Sequence, residues 1–311
     1  MTTTSGPGAA RSGIAVLPPW SLAVAAIVMV QLGSALSMDL IATVGPAGAG
    51  WLRLTAGALI FLAFARPRFR DIARRDFPAL IALGVCTGVM SVAFMAAIER
   101  IPLGTSVAIE FLGPLTVAAV QSGTRRALIW PALALVGVVL LTEPWQGSVN
   151  VAGVGFAALA GLGWGTYIVL TQHVGDRFEG VTGLAVTIPI AAVTTAFVGI
   201  PEASGHLSPS VIAASIGLAL LFPVLPFALE MIALSRMTHT AFGTLMALEP
   251  AMGLLLGLVV LYQKPTVSQL IGILLVVAAG AAAQRGGLRD SGADPNQDPD
   301  EPAVALPYPP M

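Results

Sequence analysis

The sequence predicts an all-α membrane protein: ten transmembrane helices arranged as two inverted five-helix repeats. Three observations carry that reading. Of 311 residues, 56% are hydrophobic and 10% charged, and mean hydropathy is +0.87, whereas ordinary soluble domains carry about a quarter charged residues. Apolar runs long enough to cross about 30 Å of hydrocarbon as a helix follow one another along nearly the whole chain. They are continuous, where barrel strands would alternate over about ten residues.

The predicted spans are 20–42, 46–65, 77–98, 103–121, 127–141, 151–172, 181–200, 209–234, 240–262 and 267–284. The first is preceded by "MTTTSGPGAARSGIAVLPPW", which has little positive charge and no cleavage site, so the segment 1–19 is expected to be retained on the cytoplasmic side. The third span holds Cys86, the sole cysteine, which forms no internal disulfide and reads as a small packing residue. The fifth span is short, and its Trp130-Pro131 falls near the start, where proline is tolerated. "TEPWQGSVN" (142–150) then links a first repeat, 20–142, to a second, 151–284. "GLGWG" (161–165) in the sixth span suits tight helix packing. The tail, 285–311, is rich in Pro, Gly and acid, and is expected to be disordered and cytoplasmic.

With the amino terminus inside, twelve of the fifteen Lys and Arg fall on the cytoplasmic side, among them the cluster Arg66, Arg68, Arg70, Arg74 and Arg75. Arg53, Arg100 and Lys264 remain for the other face. Short cytoplasmic loops carry the basic excess, so both termini are placed inside. Five spans per half is an odd number, so the second repeat enters from the opposite side, as in many transporters. A shift of 136 residues aligns 97–114 with 233–250 and matches Ala97 with Ala233, Arg100 with Arg236 and Pro114 with Pro250.

Chemistry enters where polar groups interrupt apolar runs. In "VAIEFLGPL" (107–115) the carboxylate of Glu110 lies in a span, and an ionisable group at a helix centre costs about 2.5–3.5 kcal/mol on insertion scales. Pro114 lacks an N–H for the carbonyl of Glu110, and Gly113 clears that face for close approach. Pro250 likewise frees the carbonyl of Met246, while Glu249 supplies a carboxylate just before it. Gly113, Pro114 and Pro250 are therefore expected to break the fourth and ninth helices. For the glutamates, a cavity-facing role is favoured over a structural hydrogen bond. Gln31 and Tyr167 could add neutral hydrogen bonds. Arg53 reads first as snorkelling to the outer interface and second as a substrate contact. Glu230 reads as interfacial or as a further site residue, and Trp164 as an anchor or cavity lining.

Several function classes are disfavoured. A net charge of −1 suggests no nucleic-acid partner. His173, His206 and His239 lie in or beside loops without metal-ligand spacing, and no nucleophile–histidine–acid set can be proposed. The glycines make no phosphate loop, so no ATP drive, cofactor or metal is expected, and no enzyme. The partners expected are a small-molecule substrate, protons and membrane lipid; the sequence sets no oligomeric state. Burial favours the protonated carboxyl and an approaching cation the ionised one, so proton and cationic substrate would compete for one site.

The blocks "IPLGTSVAIEFLGPL" (101–115) and "LPFALEMIALSRMTHTAFGTLMALEPAMGLLLGL" (225–258) resemble the threonine/homoserine exporter family, a branch of the ten-helix EamA transporters in the drug/metabolite transporter superfamily. The resemblance runs from about Gln31 to Gln284. It implies a bacterial inner-membrane exporter of small amino acids or related metabolites, driven by the proton gradient. One departure is "YQKP" (262–265), where relatives often carry a glycine-glutamate pair. Efflux of drug-like organic compounds is the alternative; an intramembrane enzyme or a non-transporting scaffold is less favoured.

Overall fold

The computed structural model describes residues 17–65, 76–122, 124–147, 149–174, 181–237 and 239–286. The basic loop 66–75, most of the amino-terminal segment and the acidic tail from residue 287 lie outside them. The described residues form α1 (Pro19–Ala65), α2 (Phe77–Ile98), α3 (Leu103–Gln121), α4 (Ile129–Thr142), α5 (Val151–Val174), α6 (Val181–Ala203), α7 (Pro209–Ala219), α8 (Leu225–Leu234), α9 (His239–Met246), α10 (Glu249–Val260) and α11 (Val267–Gly286). No strand occurs among them. Eight segments are long and apolar enough to cross a membrane, and Val267–Ala283 is a shorter apolar helix. The exterior carries large apolar side chains such as Phe64, Phe197, Leu162 and Leu59, a surface suited to lipid rather than water.

α1 has 47 residues, which as a straight helix would extend about 70 Å, over twice the hydrocarbon thickness. It is not straight. Gly45 sits at φ 74°, ψ 166°, a conformation open to glycine and strained for side-chain-bearing residues. A Cβ on Gly33 would lie 3.2 Å from Leu221, and one on Gly57 3.2 Å from Pro223. These glycines stand equally far on either side of Gly45, about 36 Å apart in a straight helix, yet they meet the same short segment. The chain therefore folds back at Gly45 into a first arm (19–44) and a second arm (46–65).

The sharp reversal leaves N–H groups of the second arm without intrahelical partners. Glu202, near the end of α6, accepts from the N–H of Gly48 at 2.8 Å, and its carboxylate occupies the space a Cβ on Gly45 would need. Pro46 sits at the first helical position, where its missing N–H costs little. From that clasp the second arm runs antiparallel to α6: Gly48 meets Ala203, Gly199 meets Trp51, and Gly57 approaches Ile188.

The remaining contacts build a single bundle. α2 packs on α5 and α6, α3 on α5 and α10, α4 on α11, and α1 on α6, α7 and α8. Glycines set the closest approaches, as small residues do where lipid gives helices no hydrophobic drive to associate. Gly137 of α4 and Gly272 of α11 face each other's backbone, a Cβ on either coming 2.6 Å from the other's carbonyl oxygen. Beside them Thr266 donates to Glu143 at 2.6 Å, Ser268 to the Leu140 carbonyl at 3.2 Å and Gln269 to the Leu141 carbonyl at 3.3 Å.

The α3–α5 seam gives a contrast within one helix pair. A Cβ on Gly113 would overlap the backbone carbonyl of Gly161, whereas Gly155 has open space. Gly113→Ala should therefore destabilise the protein by about 1–3 kcal/mol through overpacking. Gly155→Ala should be neutral or stabilising, because alanine costs less entropy in a helix. Thermal melting in detergent is the check: equal melting temperatures for the two variants would refute this account of the seam.

Candidate substrate site

The site is built where α3 and α10 run antiparallel. A Cβ on Gly104 would stand 2.8 Å from the Leu254 Cα, one on Gly253 3.0 Å from Val107 and one on Gly257 3.7 Å from Leu103. Moving one turn along both helices from the Val107–Gly253 contact brings Glu110 opposite Glu249. The two carboxylates interact electrostatically, and Glu230 of α8 acts on Glu249 as well. Glu249 is 7% exposed and lies in the first turn of α10; Glu110 and Glu230 are partly buried.

Other predicted site residues converge on the same region. Gln31, in the first arm of α1, is buried, and its Oε1 comes within 3.5 Å of a Cβ on Gly253. That oxygen has no hydrogen-bond partner among the described residues. Arg53, in the second arm, interacts electrostatically with Glu110. It donates through Nη2 to Ser91 Oγ at 3.0 Å, and its guanidinium lies 4.9 Å from the centre of the Phe222 ring. Its Nε and Nη1 find no partner among the described residues. Tyr167 of α5 interacts electrostatically with Glu230. Among the described residues, the cationic Arg53 and the acidic Glu110, Glu230 and Glu249 thus share this interior.

Several expectations need correction. Arg53 does not snorkel to an interface; it is 3% exposed, because hydroxyl and aromatic partners hold it inside. Neither Gly113 nor Pro114 breaks the fourth span: α3 continues as one helix from Leu103 to Gln121. The carbonyl of Glu110 instead turns to α5, 2.8 Å from a Cβ built on Gly161, so it serves helix packing. The ninth span is interrupted at Ala247-Leu248, between α9 and α10, with Glu249 and Pro250 opening α10. Met246 ends α9, and Pro250 has no N–H to offer its carbonyl. Trp164 packs edge-on against Phe111, ring centroids 6.3 Å apart, which gives it a place in the core beside α3. A groove of about 560 Å³ between α3 and α5 is lined by Leu112, Gly113, Thr116, Leu162 and Thr166 but by none of the carboxylates. It is a feature of the helix seam, separate from the cluster.

Sequence reasoning missed Ser91, Phe222 and Glu202. Phe222 occupies a widened, interrupted turn, Leu220–Val224, between α7 and α8, where its extended backbone (φ −163°, ψ 121°) leaves the helical path. The signal was present: "LLFPVLPF" places Pro223 and Pro226 three residues apart inside an apolar run. The departure at "YQKP" also has a place, since Gln263 Oε1 accepts from the N–H of Leu103 at 3.0 Å, at the start of α3. Among the described residues no group of three or more His, Cys, Asp or Glu could hold a metal ion.

Comparison with known proteins decides the family. The EamA-like transporter family matches residues 151–282. The threonine/homoserine exporter RhtA of Salmonella typhimurium is 35% identical over 279 residues, covering 88% of this chain and 93% of the relative. RhtA of Escherichia coli K12 is 35% identical over 276 residues with the same coverage. The chain belongs to the EamA-like transporter family, in the branch of RhtA. A protein of known crystal structure, 20% identical, superposes with a TM-score of 0.58 over 85% of this chain and 97% of its own, a likeness of fold alone. Membership in this branch makes the chain a multi-pass membrane protein of an exporter family, and a transporter rather than an enzyme by kinship.

The α3–α10 register has a direct test. In a Cys86→Ser background, Glu110→Cys with Glu249→Cys should be joined in high yield by a short bifunctional thiol reagent. Thr116→Cys with Glu249→Cys, displaced along α3, should not. A mobility shift on a denaturing gel reads the outcome, and equal yields would refute the register.

Proposed function

We propose that the chain is a secondary exporter of small amino acids of the threonine or homoserine kind, or of related metabolites, working by proton antiport across the bacterial inner membrane. In this reading ten helices cross the bilayer, the two arms of α1 counting separately, with both termini cytoplasmic. Residues 20–142 and 151–284 are two inverted five-helix repeats.

Support for the repeats comes from the pairing of elements. Exchanging each span with its counterpart in the other half turns α2–α5 into the contact of α8 with the first arm of α1, where Leu22 and Ala23 cluster with Ala233 and Phe242, and α3–α5 into the contact of α9 and α10 with that arm, where Gln31 reaches Gly253. The pairs α3–α10, α4–α11 and second arm–α6 map onto themselves. A two-fold relation between halves produces such a pattern, and it puts the substrate site on the axis between them.

The reading rests on the close packing of α3 on α10, which sets Glu110 and Glu249 one turn beyond the Val107–Gly253 contact, and on the electrostatic influence of Glu110 and Glu230 on Glu249 and of Arg53 on Glu110. Were all three carboxylates ionised, one guanidinium would leave two negative charges uncompensated, and a buried uncompensated charge is costly. The cluster is relieved by taking up a proton or an ammonium group. Binding of one disfavours the other, and this competition, combined with alternating exposure of the site, is antiport. The Gln31 Oε1, the Tyr167 hydroxyl and the Met246 carbonyl add neutral groups that orient the cargo.

Counterflow in proteoliposomes with labelled threonine, homoserine and their neighbours, with and without an imposed pH gradient, tests the proposal. An outward-directed flux of amino acid should rise when protons are driven inward. Glu249→Gln and Glu110→Gln should each lose at least tenfold of the gradient-stimulated flux. Unchanged flux in both variants, or movement of a toxic organic cation and of no amino acid, would refute amino-acid antiport; the latter would support drug efflux. Thiol labelling that placed the 66–75 loop outside the cell would overturn the orientation.

A further inference from the structure

Among the described residues, Arg53 is a buried charged group with donors left unmade. A guanidinium carries five N–H donors, and among the described residues hydrogen bonding reaches only Nη2, which donates to Ser91 at 3.0 Å. Nε and Nη1 are buried without partners, in a residue 3% exposed. Glu110 acts on it electrostatically but receives no hydrogen bond from those two nitrogens. Leaving buried donors of a charged group unmade is expensive, and native interiors rarely tolerate it without cause.

The side chain is nevertheless held in place. The Phe222 ring lies against the guanidinium at 4.9 Å, and that ring is positioned by the interrupted turn Leu220–Val224, which packs against both arms of α1 through Gly33 and Gly57. Stacking on one side and a hydroxyl at one corner fix the plane of the guanidinium while leaving its other donors open. Such a group is preorganised for a planar anion with two acceptor oxygens.

We infer that Arg53 is the residue of the cargo site that recognises the carboxylate of the amino acid and makes that carboxylate a requirement for binding. This rests on the reading of the glutamate cluster as the substrate chamber. The carboxylate docks on the free guanidinium donors, while the ammonium goes to the acidic pair Glu110 and Glu249. A zwitterion gives the guanidinium donors an acceptor and the acidic pair a donor, and the remaining negative charge of the three acids is left to proton uptake. The buried Gln31 Oε1, also unpartnered, accepts from a cargo N–H or hydroxyl. A simple amine or a lipophilic organic cation would leave the guanidinium donors unmet, so Arg53 acts against such molecules as well as for amino acids.

Competition against labelled threonine in proteoliposomes tests this with three probes: unlabelled threonine; 1-amino-2-propanol, which lacks the carboxylate; and 3-hydroxybutyrate, which lacks the ammonium. In the wild type the amino alcohol should compete at least tenfold more weakly than threonine. Tryptophan-fluorescence titration of the detergent-purified protein with the same probes gives a binding readout that needs no threonine flux. Arg53→Gln should weaken threonine and 3-hydroxybutyrate binding at least tenfold while leaving the amino alcohol within about twofold. Arg53→Lys, which keeps the charge but not the fork, should fall between. The inference is overturned if the wild type binds the amino alcohol as well as threonine, or if Arg53→Gln weakens all three probes equally. The wild-type comparison stands even if the variants fail to fold. Absence of threonine flux, with a carboxylate preference kept in titration, would sink the amino-acid export proposal and leave the Arg53 assignment intact.

Discussion

In a lipid environment the backbone must satisfy its own hydrogen bonds, and that constraint organises the rest of this molecule. Each point where the helical path fails is covered by protein. The reversal at Gly45 is clasped by Glu202. The turn at Leu220–Val224 is pressed between Gly33 and Gly57 of the two arms of α1. The interruption before Glu249 lies at Ala247, which is fully buried and stands against Gly280 of α11. Because an interrupted helix is tolerated only inside the bundle, the interruptions are packed against neighbouring helices. There they place Phe222 beside Arg53 and Glu249 opposite Glu110.

Charge follows from the same geometry. Buried acids are expensive in isolation, and their cost falls when they share an enclosure with a guanidinium and with exchangeable cations. Glycines at Gly104, Gly253 and Gly257 bring α3 and α10 into close contact, so the acids on the two helices feel each other. Wider separation would let each carboxylate take its own proton independently. Close approach makes the charge state of one depend on the other.

Much of the architecture was legible in the sequence because apolar runs and helix-stopping signals are local. The predicted boundaries 77–98 and 103–121 coincide with α2 and α3, and the short fifth span is a helix, α4, with Trp130-Pro131 in its first turn. Glu110, Glu249, Gln31 and Tyr167 stood out because polar groups are conspicuous in apolar surroundings. What stayed hidden depends on contacts between distant segments. Arg53 looked interfacial because sequence depth alone ignores Ser91 and Phe222, which hold it inside. Pro114 looked like a break because proline removes a hydrogen bond, but α3 absorbs that loss and its freed carbonyl meets the bare backbone of Gly161. No local rule distinguishes Pro114 from Pro250; the neighbouring helix does.

That difference between the two prolines bears on where the backbone is free to rotate. Pro114 lies in an uninterrupted helix locked to α5 through Gly113, Gly161 and Gly165, and α4 is fastened to α11 by paired glycines and three hydrogen bonds. These seams have no slack for sliding, since a glycine contact closed to backbone distance has no side chain that can rearrange. The interruptions at Leu220–Val224 and Ala247-Leu248 both fall in the second half, and each sits one short segment from a carboxylate, Glu230 or Glu249. Hinges are element-terminal residues that absorb backbone rotation. Among the described residues, the glycine-locked seams thus lie in α3 to α5 and α4–α11, and the backbone open to rotation lies in α7 to α10, beside Glu230 and Glu249.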